Sequence, residues 1–111
     1  MGRWRFSSCC ASTRSFSTRF ARSLRSKHAF VSTIRISRQL RRAASSIALN
    51  CAEGTGSQGG NVKARFRNAL GSTYETRACL DVASVFGYVE VKPQLHDDLD
   101  RIGATLYRLI E

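Results

Sequence analysis

Beyond residue 37 the apolar positions recur with helical period. Leu40, Ala44, Ile47, Ala48 and Cys51 follow i, i+4, i+7, i+8 and i+11, one face of a helix starting near Ser37. Arg38, Arg41, Arg42 and Ser45 lie mostly off that face. The pattern predicts an end near Glu53, with Gly54, Gly56, Gly59 and Gly60 as stop and connection. A second helix is predicted from Asn61, a good N-cap residue. Val62, Phe66, Ala69, Thr73, Thr76, Leu80 and Ala83 recur along it at spacings of four and three, Leu70 widens the stripe, and Gly87 is placed as its C′ glycine. It spans roughly 25 residues, about 37 Å at 1.5 Å per residue. A third helix is predicted near Pro93, which suits a first helical turn, with Asp97 and Asp98 near the positive end of its dipole. Leu95, Leu99, Ile102, Leu106 and Leu109 give it an a/d seam, the clearest period in the chain. Narrow seams and short connections predict an all-α fold, an antiparallel up-down bundle of the four-helix type. The fourth helix is expected before residue 37, where no sustained helical period is present.

One polar line interrupts the first stripe. Ser46, Asn50 and Glu53 are spaced i, i+4, i+7 and run beside the apolar face, not opposite it. Groups at that boundary are half buried when the helix packs, and each needs a partner, since an unsatisfied buried group costs about 1–3 kcal/mol. Glu75 and Arg77 on the second helix are the candidate partners. Two readings follow. Ser46, Asn50, Glu53 and Glu75 form a structural polar network that fixes helix register, or Glu53 is a catalytic carboxylate. No histidine, cysteine or second acid is placed with Glu53 by the sequence, which favours the network.

Charge divides the 111 residues unevenly. The net charge is +10, yet residues 1–52 hold eleven basic residues and no acidic one, while residues 53–111 hold seven basic and eight acidic. Residues 1–37 are Arg/Ser-rich with scattered aromatics, and set apart a basic segment (1–37) from a helical-bundle domain (38–111). Three readings of the segment stay open: a basic arm for nucleic acid, an organelle transit peptide, or an out-of-frame translation. A chain this short forms one domain at most and buries only about 60–65% of its unfolded surface, so association is a reasonable expectation.

Several chemistries lack their residues. The four cysteines, Cys9, Cys10, Cys51 and Cys79, show no C-x-x-C and no zinc spacing; Cys51 and Cys79 read as small buried hydrophobes, which fits a reducing cytosol. The Glu-x-x-His pairs of di-iron bundles are missing: His28 lies in the basic segment, and no Glu precedes His96 at that spacing. No apolar run approaches the ~20 residues that span a bilayer, and the start lacks the apolar core of a secretory signal. No catalytic residue, metal, cofactor or small-molecule substrate is expected, and the expected location is cytoplasmic.

The stretches QLRRAASSIALNCAEGTG (39–56) and NALGSTYETRACLDVASVFGYV (68–89) resemble the four-helix-bundle 23S ribosomal RNA intervening-sequence proteins. The matching positions are Gln39, Leu40, Arg41, Arg42, Ala43, Ser46, Ile47, Asn50, Ala52, Glu53 and Gly54, then Ala69, Gly71, Ser72, Glu75, Gly87, Tyr88 and Val89. Cys51 stands where the family usually has Ile, and Phe86 where Leu is usual. The resemblance covers about residues 38–111; residues 1–37 do not resemble the family's acid-containing first helix. It implies a homo-oligomer, in several members a ring-like pentamer, and no enzymatic activity. A related branch, the accessory variability determinant of diversity-generating retroelements, is basic, partners a reverse transcriptase and contacts nucleic acid. Two functions are therefore weighed. One is an oligomeric scaffold binding RNA or a reverse transcriptase through Arg38, Arg41, Arg42, Lys63, Arg65 and Arg67. The other is a bundle enzyme or metal site built from Glu53, Glu75 and a histidine. A structural bundle whose arginines only form a solvated face is the plain alternative to both.

Overall fold

A computed structural model describes residues 29–111. They form three helices, α1 (Ala29–Gly56), α2 (Gly60–Val85) and α3 (Pro93–Ile110). No strand occurs among the described residues. The fourth helix expected before residue 37 falls largely on residues 1–28, outside the described residues.

α2 is the central element. α1 and α3 each pack along it, without close backbone approach to one another. Both packings are antiparallel. Gln39, Ser46 and Glu53 of α1 meet Glu75, Ser72 and Arg65 in descending order along α2. Lys63, Arg77 and Asp81 of α2 meet Glu111, Asp100 and His96 in the same descending sense.

The α2 stripe is packed as its spacing predicts. Phe66, Ala69, Thr73, Thr76, Leu80 and Ala83 are all buried, and Val62 and Leu70 are half-buried. The two buried threonines keep their hydroxyls satisfied within the helix, Thr73 donating to the Ala69 carbonyl at 2.9 Å and Thr76 to the Ser72 carbonyl at 2.8 Å. Gly87 is the C′ glycine, with φ of +73°. Its N–H donates to the Ser84 carbonyl and the Tyr88 N–H to the Ala83 carbonyl, the paired bonds of a Schellman end. Pro93 opens α3 behind Lys92 as N-cap.

The ends of α1 depart from the sequence pattern. The helix begins at Ala29, well before Ser37, and so runs through the boundary drawn at residues 37 and 38. Ile36 continues the line of residues that face α2: Ile36, Leu40, Ala43, Ile47, Asn50 and Gly54 are spaced four, three, four, three and four, and all are buried or half-buried. β-branched residues near the start hide this continuation. Ala44 and Ala48, expected on the packed face, are exposed. They lie on the far edge of the stripe, beyond the reach of the single described neighbour. Gly54, read as a stop signal, is buried inside the helix, which runs on to Gly56. A Cβ at Gly54 would sit 2.7 Å from Phe66 Cε1, so the missing side chain is what lets α1 and α2 approach. Asn61 is not the cap of α2; Gly59 is, with φ of +66° and no side-chain bond. Asp97 and Asp98 lie beyond the first turn of α3, which carries no acid, so they add little to its dipole.

The α3 seam is only half used. Leu99 and Leu106 are buried against α2, but Leu95, Ile102 and Leu109 are 43%, 39% and 49% exposed. The heptad therefore presents one row to α2 and leaves the other open. Phe66, Ala69 and Leu106 form the core, with Cys51, Val62, Leu70 and Ile110 packed around them. This cluster joins all three helices at the end near the α1–α2 connection.

Candidate functional site

The side of the α1–α2 contact away from Ala44 and Ala48 carries a polar groove of about 570 Å³. Its floor is a short hydrogen-bonded chain. Asn50 Nδ2 donates to the Ser46 carbonyl at 2.9 Å and to Ser46 Oγ at 3.0 Å, and Ser72 Oγ lies 2.8 Å from Ser46 Oγ. Two pairs flank this floor, one an ion pair and one an amide donating to a carboxylate. Arg65 Nη1 meets Glu53 Oε2 at 2.8 Å, and Gln39 Nε2 donates to Glu75 Oε1. Leu49, Arg41 and Arg42 complete the walls.

Ser46 and Asn50 thus meet as the polar line predicts, and α2 supplies the satisfying partner. That partner is Ser72, not Glu75 or Arg77. Glu53 pairs instead with Arg65, about two turns nearer the connection than Ser72, and Glu75 with Gln39. Arg77 turns to the other side of α2 and meets Asp100 of α3. Ser72 stands in the sequence only as a position matching the family; its place in the network depends on the register between helices, which the sequence does not print. Arg65 and Glu53 are both about half exposed, so their pair adds at most about 1 kcal/mol.

The six basic candidates divide. Arg41, Arg42 and Arg65 surround the groove. Arg38 is exposed one turn earlier on α1. Arg67 is exposed on α2, two positions and about 200° round the helix from Arg65. Lys63 lies on the α3 side, where its Nζ donates to the Glu111 carbonyl at 3.1 Å. The six therefore lie on one groove and two flanks.

The residues weighed for metal or catalysis are dispersed. His96 Nε2 lies 3.5 Å from Asp81 Oδ1 on the α2–α3 side, while Glu53 and Glu75 face the groove on the α1 side. No cluster of three His, Cys, Asp or Glu residues occurs among the described residues. Cys51 and Cys79 are free and half-buried. Burial, and then the charge of Glu75, push the Cys79 thiol up, so it is held protonated and weakly nucleophilic. No helix among the described residues is long and apolar enough to cross a membrane.

The groove floor and its flanking pairs are built from Gln39, Ser46, Asn50, Glu53, Ser72 and Glu75, all positions shared with the motif, together with Arg65, which is not. The family described as 23S rRNA-intervening sequence protein matches residues 9–108. The chain belongs to this family. Its extent passes well N-terminal of Gln39, where the residue-level resemblance starts, and takes in much of the basic segment. For a 23S rRNA-intervening sequence protein the shared residues have a plain physical meaning here: they hold α1 and α2 in register. No curated protein and no solved structure matches the chain.

Proposed function

We propose that the chain is a non-enzymatic, homo-oligomeric helical scaffold, cytoplasmic, that binds RNA or a reverse transcriptase through basic surface. One observation carries the nucleic-acid part. α1 presents Arg35, Arg38, Arg41 and Arg42 to solvent, and no acidic residue precedes Glu53 on that helix. Such a one-signed face draws a polyanion and holds it through phosphate contacts. The dispersal of Glu53, Glu75 and His96 onto different sides of α2 supports a scaffold over a metal or acid–base enzyme. A ring of five is the assembly the family resemblance implies.

The four-helix form of the fold belongs to the same proposal. The open row of Leu95, Ile102 and Leu109 is an apolar face of a kind that a fourth helix covers. Residues 9–28 belong to the family match and are the chain available for it.

Fluorescence anisotropy of the full chain with a labelled single-stranded RNA tests the binding. Affinity is expected to fall by at least about tenfold between 50 and 200 mM salt, since each neutralised phosphate releases counterion. Arg38→Ala with Arg41→Ala is expected to flatten that slope. Binding that is absent at low salt, or insensitive to salt, overturns the reading.

A further inference from the structure

Along α1, Arg42, Ser46, Leu49 and Glu53 recur at spacings of four, three and four. At about 100° per residue they fall within an arc of roughly 60°. All four line the polar groove, and Arg42, Leu49 and Glu53 are exposed. Leu49, at 62%, has the highest exposure of the large apolar side chains among the described residues. Ser45, Ser46 and Ser72 line the same groove, and their small side chains leave space there. A knob and a hollow therefore share one surface.

The order along this stripe is base, small, apolar, acid. Turned end for end, the same stripe reads acid, apolar, small, base. The midpoint between Arg42 and Glu53 is also the midpoint between Ser46 and Leu49. A second α1 laid antiparallel about that midpoint sets each Arg42 against a Glu53 and each Leu49 against a Ser46, twice over. This is the self-complementarity a two-fold contact requires. Glu53 has the capacity for it: Arg65 occupies Oε2, and Oε1 remains to accept from a second guanidinium.

We propose that the α1 stripe Arg42–Ser46–Leu49–Glu53 is a two-fold contact between copies of this chain. It rests on the homo-oligomeric reading and names the surface. Other occupants fit the charges less well. A phosphate backbone in the groove meets Glu53 and Glu75 beside the arginines. Residues 1–28 hold seven Lys and Arg and no acid, and in the groove they meet Arg41, Arg42 and Arg65. A second copy brings its Glu53 to Arg42 and its Arg42 to Glu53. RNA contact then falls mainly to Arg38 and Arg41, which lie outside that arc.

Charge reversal in the full chain, read by native mass spectrometry and sedimentation, tests the contact. Arg42→Glu alone and Glu53→Arg alone each set like charges against each other at both ends, and each is expected to weaken association by at least about tenfold. Mixed together, the two single variants have complementary stripes and are expected to reassociate one to one. The double variant in a single chain is expected to regain self-association. Leu49→Asp is the second probe, and loses association without charge rescue. All three positions are exposed, so far-ultraviolet circular dichroism is expected to stay unchanged. The wild-type particle is expected to hold an even number of chains: two, or ten where rings of five closed through another face are joined by this contact. A five-chain particle indifferent to both reversals overturns the contact and leaves the homo-oligomer standing. Single variants that fail to associate and are not rescued by mixing also overturn it. A wild-type monomer at every concentration removes both.

Discussion

Phe66→Ala is expected to lower stability by about 3–5 kcal/mol, a large share of the 5–15 kcal/mol that holds a domain together. Phe66 is the largest side chain in the cluster that joins all three helices, packed with Ala69 and Leu106 and ringed by Cys51, Val62, Leu70 and Ile110. Its removal strips contacts from α1 and α3 together, and a helix array this thin has few neighbours to fill the hole. Urea denaturation followed by circular dichroism measures the loss. A change under about 1 kcal/mol would show that the junction is not the core.

Gly54→Ala is the second large effect, and its sign runs against helix propensity. Alanine in a helix interior is ordinarily about 1 kcal/mol better than glycine. At Gly54 the new methyl lies 2.7 Å from the Phe66 ring, inside any real carbon–carbon contact. The ring is buried and cannot swing clear, so α1 and α2 must part. Overpacking of this kind costs about 1–3 kcal/mol. Phe66→Leu in the same chain makes room, so the double variant is expected to be more stable than the sum of the two single changes predicts. Additive losses in that cycle would show that Gly54 does not face Phe66. Gly71 gives the contrast: nothing lies within 4 Å of its Cβ position, so alanine there keeps the ordinary propensity gain.

The two glycines show what was legible and what was not. Gly87 reads correctly from sequence because a C′ glycine follows from local backbone geometry alone. Gly54 sits in the same kind of context, after a run of apolar residues and before more glycines, yet it serves packing with a residue twelve positions away. Local rules cannot separate the two cases. The stripe of α2 was fully legible because that helix is covered on both flanks, and a central helix obeys its own period. The stripes of α1 and α3 were legible as faces, but not as to how much of each face is covered. Leu99 and Leu106 look the same in sequence as Ile102 and Leu109; only the position of α2 distinguishes them. The polar line was visible as Ser46, Asn50 and Glu53, whereas Ser72 and Arg65 became partners through a helix register that no motif encodes.

The basic residues were visible as a composition, yet the fold distributes them. Arg41, Arg42 and Arg65 share a groove with Glu53 and Glu75, and Lys63 is held at the far end of α3. What remains one-signed is the solvent face of α1. A face that holds both signs in mirrored order suits a like partner, and a face that holds one sign suits a polyanion.

Sedimentation equilibrium of the full chain over a hundredfold dilution series measures the central property. A homo-oligomeric scaffold predicts a mass of several chains at the top of the series, with dissociation on dilution following mass action. A mass of one chain throughout, with a melting temperature independent of concentration, contradicts it.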